Sequence, residues 1–119
     1  MVIELPYPPS VNRYWRNIAV GKKPRTLISR EGRDYRGEVL CLFRGSNRPM
    51  ITCNIAVTIE VFQPDKRRRD LDNIAKAPLD ALTHAGVWLD DSQIDDLRII
   101  RRDIIPDGKL VVHVKIIEA

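Results

Sequence analysis

The residues best suited to chemistry lie in one run, Lys66-Arg67-Arg68-Arg69-Asp70-Leu71-Asp72-Asn73-Ile74-Ala75-Lys76. Four cations lead into two carboxylates spaced i, i+2, and Lys76 follows four residues after Asp72. A second acidic pair, Asp90-Asp91, comes one helix-length downstream. Clustered carboxylates suit a hard divalent cation such as Mg²⁺, and basic runs gather phosphates. Together they point to metal-assisted cleavage of nucleic-acid phosphodiesters. The metal would polarise a phosphate oxygen, activate a water and steady the leaving alkoxide, and this many carboxylates would admit two ions. Lys76 would oppose the charge developing at phosphorus. Arg67, Arg68 and Arg69 would hold the backbone and favour ionised aspartates. No histidine is near in sequence and no Ser/His or Cys/His set exists, so a protein nucleophile is not expected. The same residues also fit a plainer arrangement, with Asp72 or Asn73 capping a helix beside a solvated basic run.

Acids distant in sequence make one site only if the fold joins them. Leu71, Ile74, Ala75, Pro78, Leu79, Leu82 and Ala85 recur at helical spacing, predicting a helix from about Asn73 to Ala85, with Gly86 as its left-handed stop. Pro78 leaves two starts open: an irregular first turn, or regular helix beginning nearer Pro78. A helix of a dozen residues carries the chain ~18 Å away at 1.5 Å per residue. An extended run from Gly86 to Asp91 would return about 16 Å at ~3.3 Å per residue. The matched lengths predict that Asp90-Asp91 comes back beside Asp70 and Asp72. Adjacent strand residues point oppositely, so one of Asp90 and Asp91 would face the metal.

The remaining elements must support that segment. Val2 to Leu5 reads as a short strand. Three prolines in Pro6 to Arg16 exclude helix and central strand, leaving an extended or turning segment. Its Tyr7, Tyr14 and Trp15, interleaved with Arg13 and Arg16, could stack on bases and pair with phosphates, or could tuck the loop onto the core. Lys22, Lys23 and Arg25 extend the basic character through a loop marked by Gly and Pro. Ser29 caps a first helix, with Tyr35, Val39, Leu42 and Phe43 on one face, while Gly32 and Gly37 weaken it. Ile51 to Phe62 alternates as the strongest strand, and Pro64-Asp65 ends it before the basic run. Leu97 to Ile104 and Lys109 to Ile117 read as strands around the turn Pro106-Asp107-Gly108, and His113 takes no role. The expected class is α+β: a small, hairpin-rich mixed β-sheet with two main helices packed on one side.

With 119 residues the chain fits a single domain, 1–119, and 44% hydrophobic with 30% charged residues excludes a disordered chain. The formal charge of +4 understates the basic surface if several acids share one site, which suits a polyanionic partner. Cys41 and Cys53 are far apart, each in an apolar-looking segment, and point to a reducing cytoplasm. Met1 to Pro6 does not read as a signal peptide, and no apolar run suggests a membrane partner.

Arg67-Arg68-Arg69-Asp70-Leu71-Asp72-Asn73, Lys76, Asp80-Ala81-Leu82 and Trp88-Leu89-Asp90-Asp91-Ser92-Gln93, with Pro8-Pro9-Ser10-Val11-Asn12-Arg13-Tyr14 upstream, closely resemble the RusA family of Holliday-junction resolvases. The resemblance covers nearly the whole chain in matching order. It implies a small α+β homodimer making paired, Mg²⁺-dependent nicks in four-way junction DNA, with some preference for local sequence, during recombination and repair; Mn²⁺ could substitute. By position, Asp70, Asp72 and Asp91 match the metal-binding and catalytic carboxylates, Lys76 the catalytic lysine, and Arg69 a residue tied to DNA binding. Asp90 matches a second acid. Arg67, Arg68, Arg69, Asn73 and Arg13 are the expected DNA contacts. One acid cluster per chain also asks for a two-fold dimer to make two opposed cuts. Flap or fork nucleases would share every such residue, and a non-catalytic junction-binding protein would bind without cutting. A nucleotide-sugar transferase with an Asp-x-Asp motif would need a larger fold.

Overall fold

A computed structural model of the chain describes residues 1–20 and 23–117, without the side chains of residues 18–20, 24 and 25. Lys22 and the Arg25 side chain of the basic loop thus lie outside the described residues. The elements run β1 (Val2–Leu5), α1 (Val11–Tyr14), β2 (Trp15–Val20), β3 (Lys23–Ile28), α2 (Arg30–Leu42), β4 (Ile55–Phe62), α3 (Asp72–His84), a 3-10 turn at Asp91–Gln93, β5 (Ile94–Arg101) and β6 (Lys109–Ile116).

The period-2 pattern of β4 puts Ile55, Val57, Ile59 and Val61 at 0% exposure, with their neighbours half-exposed on the other face. Leu110, Val112 and Val114 of β6 continue the buried face. Tyr35 and Val39 of α2 and Ile74, Ala77 and Ala81 of α3 join the same core, so both main helices cover one side of the sheet. Strand order is β1-β6-β4-β5. β6 is antiparallel to both β1 and β4, while β4 and β5 are parallel. Parallel neighbours need a crossover, and α3 supplies it. On the open face Glu60 is held by His113 at 2.5 Å and Arg102 at 2.8 Å, which gives His113 a partner. Among the described residues no helix is long and apolar enough to cross a membrane.

The sheet is mixed, as expected, but it is not rich in hairpins. Among the described residues the one pair of sequence-adjacent antiparallel strands, β2 and β3, forms a separate two-stranded sheet. The segment after Pro9 is also not wholly extended: α1 makes a single helical turn there, because Pro9 precedes Ser10 and leaves every amide from Val11 onward free to donate. Tyr14 at its end is fully buried, so of the three aromatics it belongs to the core and cannot stack on a base. Cys41 and Cys53 are both exposed rather than core, Cys53 because β4 starts only at Ile55. Ile51 instead bridges to Trp88. Leu42 is 54% exposed, and the buried face of α2 is Gly32, Tyr35 and Val39.

α3 runs unbroken through Pro78, so regular helix does not restart there. The ring deprives Ile74 of its i+4 donor, a cost of about 3 kcal/mol, and its full burial in the core offsets that loss. In α2 the Ser29 side chain accepts from the Gly32 amide at 3.0 Å, as expected of a cap. The same serine donates to the Tyr14 carbonyl at 2.9 Å, tying α1 to α2.

Gly32 and Gly37 then have opposite meanings. A Cβ at Gly32 would lie 2.5 Å from the Tyr14 carbonyl oxygen and 2.7 Å from Ile28 Cγ1, whereas a Cβ at Gly37 meets nothing within 4 Å. Gly37→Ala is expected to stabilise by about 0.5–1 kcal/mol, the ordinary helix gain. Gly32→Ala is expected to destabilise by roughly 1–3 kcal/mol or more, because backbone must move to admit the methyl. Urea unfolding of both variants checks this, and a shift of the same sign for both would refute it.

Candidate active site

The basic run is an ordered loop between β4 and α3. Gln63, 5% exposed, donates from Nε2 to the Arg67 carbonyl at 3.0 Å. Asp65 accepts from the Arg67 amide at 2.8 Å and from Arg69 through both guanidinium Nη atoms, at 2.7 and 3.3 Å. The Arg69 guanidinium, followed by the Arg67 amide, draws the Asp65 carboxyl down to about 2. Arg69 also lies over the Tyr7 ring at 5.6 Å, and Arg101 at the end of β5 donates to the Arg69 carbonyl. Arg69 is therefore a fastener of the loop. Among the described residues, the Arg67 and Arg68 side chains have no hydrogen-bond or ion-pair partner, and both are exposed.

Asp70 and Asp72 are exposed, and their carboxylates make no hydrogen bond or salt bridge among the described residues. The N-cap position of α3 is Leu71, with no side-chain cap. This removes the plainer arrangement in which Asp72 or Asn73 serves only to cap the helix. Lys76, exposed one turn on, shares a helix flank with Asp72 without forming an ion pair to it. The loop also walls one side of a cleft of about 630 Å³, lined among others by Arg13, Arg67, Arg68, Asp70 and Asn73.

Asp91 lies elsewhere. The indole Nε1–H of Trp88, a fully buried side chain, points to Thr83 Oγ1 at 2.6 Å and to Asp91 Oδ1 at 3.1 Å. The Thr83 hydroxyl sits against the same Oδ1. Among the described residues, Asp91 Oδ2 has no hydrogen-bond partner. Asp90 accepts from Ser92 at 2.5 Å, and its amide donates to Gln93 Oε1 at 2.8 Å. Gln93, 9% exposed, fixes this turn to the Ile51 and Cys53 carbonyls, both at 2.9 Å.

Thr83 is eleven residues beyond Asp72 on one continuous helix, about 16 Å along its axis. Asp91 thus stands at the opposite end of α3 from Asp70 and Asp72, and the expected convergence within one chain does not occur. No three His, Cys, Asp or Glu among the described residues come together at metal-binding range. The reason is directional. After Gly86 the chain buries Trp88 and pairs it with Ile51, and the return is made later by β5, which delivers Arg101 to the basic loop.

Sequence reasoning also missed the brace behind α3. Tyr14 donates to Asp80, and Arg36 Nε contacts Asp80 Oδ2 at 2.7 Å and the Tyr14 oxygen at 3.2 Å. Burial, then the adjacent carboxylate, pushes the Tyr14 phenol above its ordinary range. Asp80 lies one turn beyond Lys76, which was the available signal.

Compared with known proteins, the chain matches the family Endodeoxyribonuclease RusA over residues 6–116. The crossover junction endodeoxyribonuclease of Enterobacteria phage 82 is 45% identical over 109 residues, covering 91% of this chain and 88% of that protein. Those of Shigella sonnei strain Ss046 and Escherichia coli strain K12 are 43% and 42% identical over the same shares. Fold, site and relatives together define a small α+β endodeoxyribonuclease. The chain belongs to the RusA family.

Proposed function

We propose that this endodeoxyribonuclease resolves four-way Holliday junctions, with Asp70, Asp72 and Asp91 as its metal-holding carboxylates and two copies of the chain forming each site. The observation that carries the reading is the pair of exposed, unpartnered carboxylates, Asp70 and Asp72, beside a cation-lined cleft. Two such carboxylates are hard oxygen donors, which fits a hydrated divalent ion such as Mg²⁺, with Mn²⁺ able to replace it. Bound there, the ion would supply water activation and leaving-oxygen stabilisation. Lys76 brings positive charge to the phosphate as negative charge grows on it. Arg67, Arg68 and Arg13 hold flanking phosphates, and Asn73 contributes a neutral donor and acceptor.

The third ligand requires a partner. A two-fold axis that lays two α3 helices antiparallel would carry the partner subunit's Asp91 to the Asp70–Asp72 end, and the reverse at the second site. The uncommitted Oδ2 of Asp91 is the atom available to a metal, and Asp90 beside it is the second candidate. Two sites related by a two-fold axis suit two opposed cuts. The protein is expected to bind a synthetic four-way junction in EDTA and, with Mg²⁺ or Mn²⁺, to make symmetric paired nicks in it while sparing plain duplex. Binding with no cut in either metal would make it a junction-binding module. Equal cutting of flaps and forks would make it a general branch nuclease.

A further inference from the structure

The cleft next to Asp70 has more apolar wall than a phosphate groove requires. Its volume, about 630 Å³, is lined by Tyr7, Pro8, Pro9, Pro64 and Ile74 as well as by its cations and Asn73. Sites for small, ring-shaped ligands fall in the range of ~300–1,000 Å³ and combine such apolar walls with a few polar groups. Tyr7 is fixed there. Arg69 lies over its ring, and Gly108 lets the turn before β6 close on it, since a Cβ at Gly108 would be 3.0 Å from Tyr7 Cδ2. Among the described residues the buried Tyr7 hydroxyl has no hydrogen-bond partner, so what the residue offers the cleft is ring surface. Prolines form rigid walls for the same reason that they interrupt helices. Asn73 sits half-buried in the first turn of α3, and its carboxamide carries both donor and acceptor with no partner among the described residues. Arg13 completes the polar side.

A base inside a stacked duplex cannot enter such a space; it must first leave its stack. Bases at a branch point have already lost stacking neighbours, so the loss is smallest there. We propose that the cleft receives one unstacked nucleobase next to the phosphate being cut, with Tyr7 and Pro9 against its ring and Asn73 and Arg13 at its edge. This rests on reading Asp70 as a cutting carboxylate. It gives the enzyme two forms of selection from one feature: branched DNA supplies an extractable base, and Asn73 discriminates among bases.

The test uses the full chain and four-way junctions carrying 2-aminopurine at single positions around the branch, bound in EDTA so that nothing is cut. Fluorescence is expected to rise several-fold at one position flanking the cleaved phosphate, and the rise is expected to be lost in Tyr7→Ala and Asn73→Ala. In Mg²⁺, junctions differing only in that base should be cut at rates differing about tenfold or more, the discrimination of one good amide–base pair. Asn73→Ala should level them. Asn73 caps nothing and is not in the core, so this variant keeps the test valid if Tyr7→Ala fails to fold. A rise at no position, or a rise and preference that survive in Asn73→Ala, would overturn the proposal and leave a groove for backbone. A protein that neither binds nor cuts junctions would instead defeat the preceding reading.

Discussion

Asp70→Asn is expected to leave junction binding in EDTA at the wild-type level and to lower Mg²⁺-dependent nicking by at least about a hundredfold, since even outer partners of a metal site are worth 10–100-fold. Asn matches Asp in size. Asp70 is exposed, and its carboxylate holds no other group among the described residues, so none of them depends on the charge. The Asp70 carbonyl, which accepts from the Asn73 amide at 3.2 Å, is untouched. What is lost is an anionic oxygen for a hard cation. The arginines that hold the backbone remain, and one negative charge facing the phosphates is gone, so affinity would move slightly upward if at all. Gel shifts in EDTA paired with nicking rates in Mg²⁺ measure both halves. A variant that cuts at the wild-type rate would remove Asp70 from the site.

Mixing two dead proteins should restore cutting. Asp91→Asn is expected to be as inactive as Asp70→Asn. If each site draws Asp70 and Asp72 from one subunit and Asp91 from the other, a mixed dimer gathers both changes into one site and leaves the second intact. With random exchange, about a quarter of wild-type site activity should return, as single nicks rather than paired cuts. If each site lay within one chain, every site in the mixture would carry a defect and no activity would return. The distance from Asp72 to Thr83 along α3 is the physical basis of the expectation. The experiment also separates ligand from brace: Thr83→Val, which frees Asp91 Oδ1 from one contact, should lower the affinity for Mg²⁺ without abolishing cutting at saturating metal.

Much of this fold was legible because its periodicities are strong. Ile55 to Phe62 alternates cleanly, Leu110 to Val114 does the same, and Ile74 to Leu82 keeps a helical stripe despite Pro78. The unpartnered acids and cations of the basic loop were legible too, as residue types at a spacing. What escaped was direction. Matched lengths for α3 and the segment after Gly86 fixed a distance of return but not which segment returned. Trp88 appeared as part of an extended run, and nothing local indicates that its indole is buried against Thr83 and Asp91. Tyr14 gave equal support to stacking on DNA and to the core. Its burial depends on Asp80 and Arg36, sixty-six and twenty-two residues away.

The position of β6 between β1 and β4 has a consequence for how the molecule comes into being. Among the described residues β1 pairs with β6 alone, and the Met1 ammonium reaches the Val114 carbonyl at 3.0 Å across 113 residues of sequence. As the ribosome releases the chain, Ile3 and Leu5 emerge before β6 and wait for a strand synthesised far later. β4, with its fully apolar face, waits for the same strand along one edge. Such long-range pairing makes folding slower than that of a helical bundle of similar size. Until then both strands present open edges to neighbouring chains. Translation that stalls before β6 should therefore yield aggregate rather than a smaller folded nuclease.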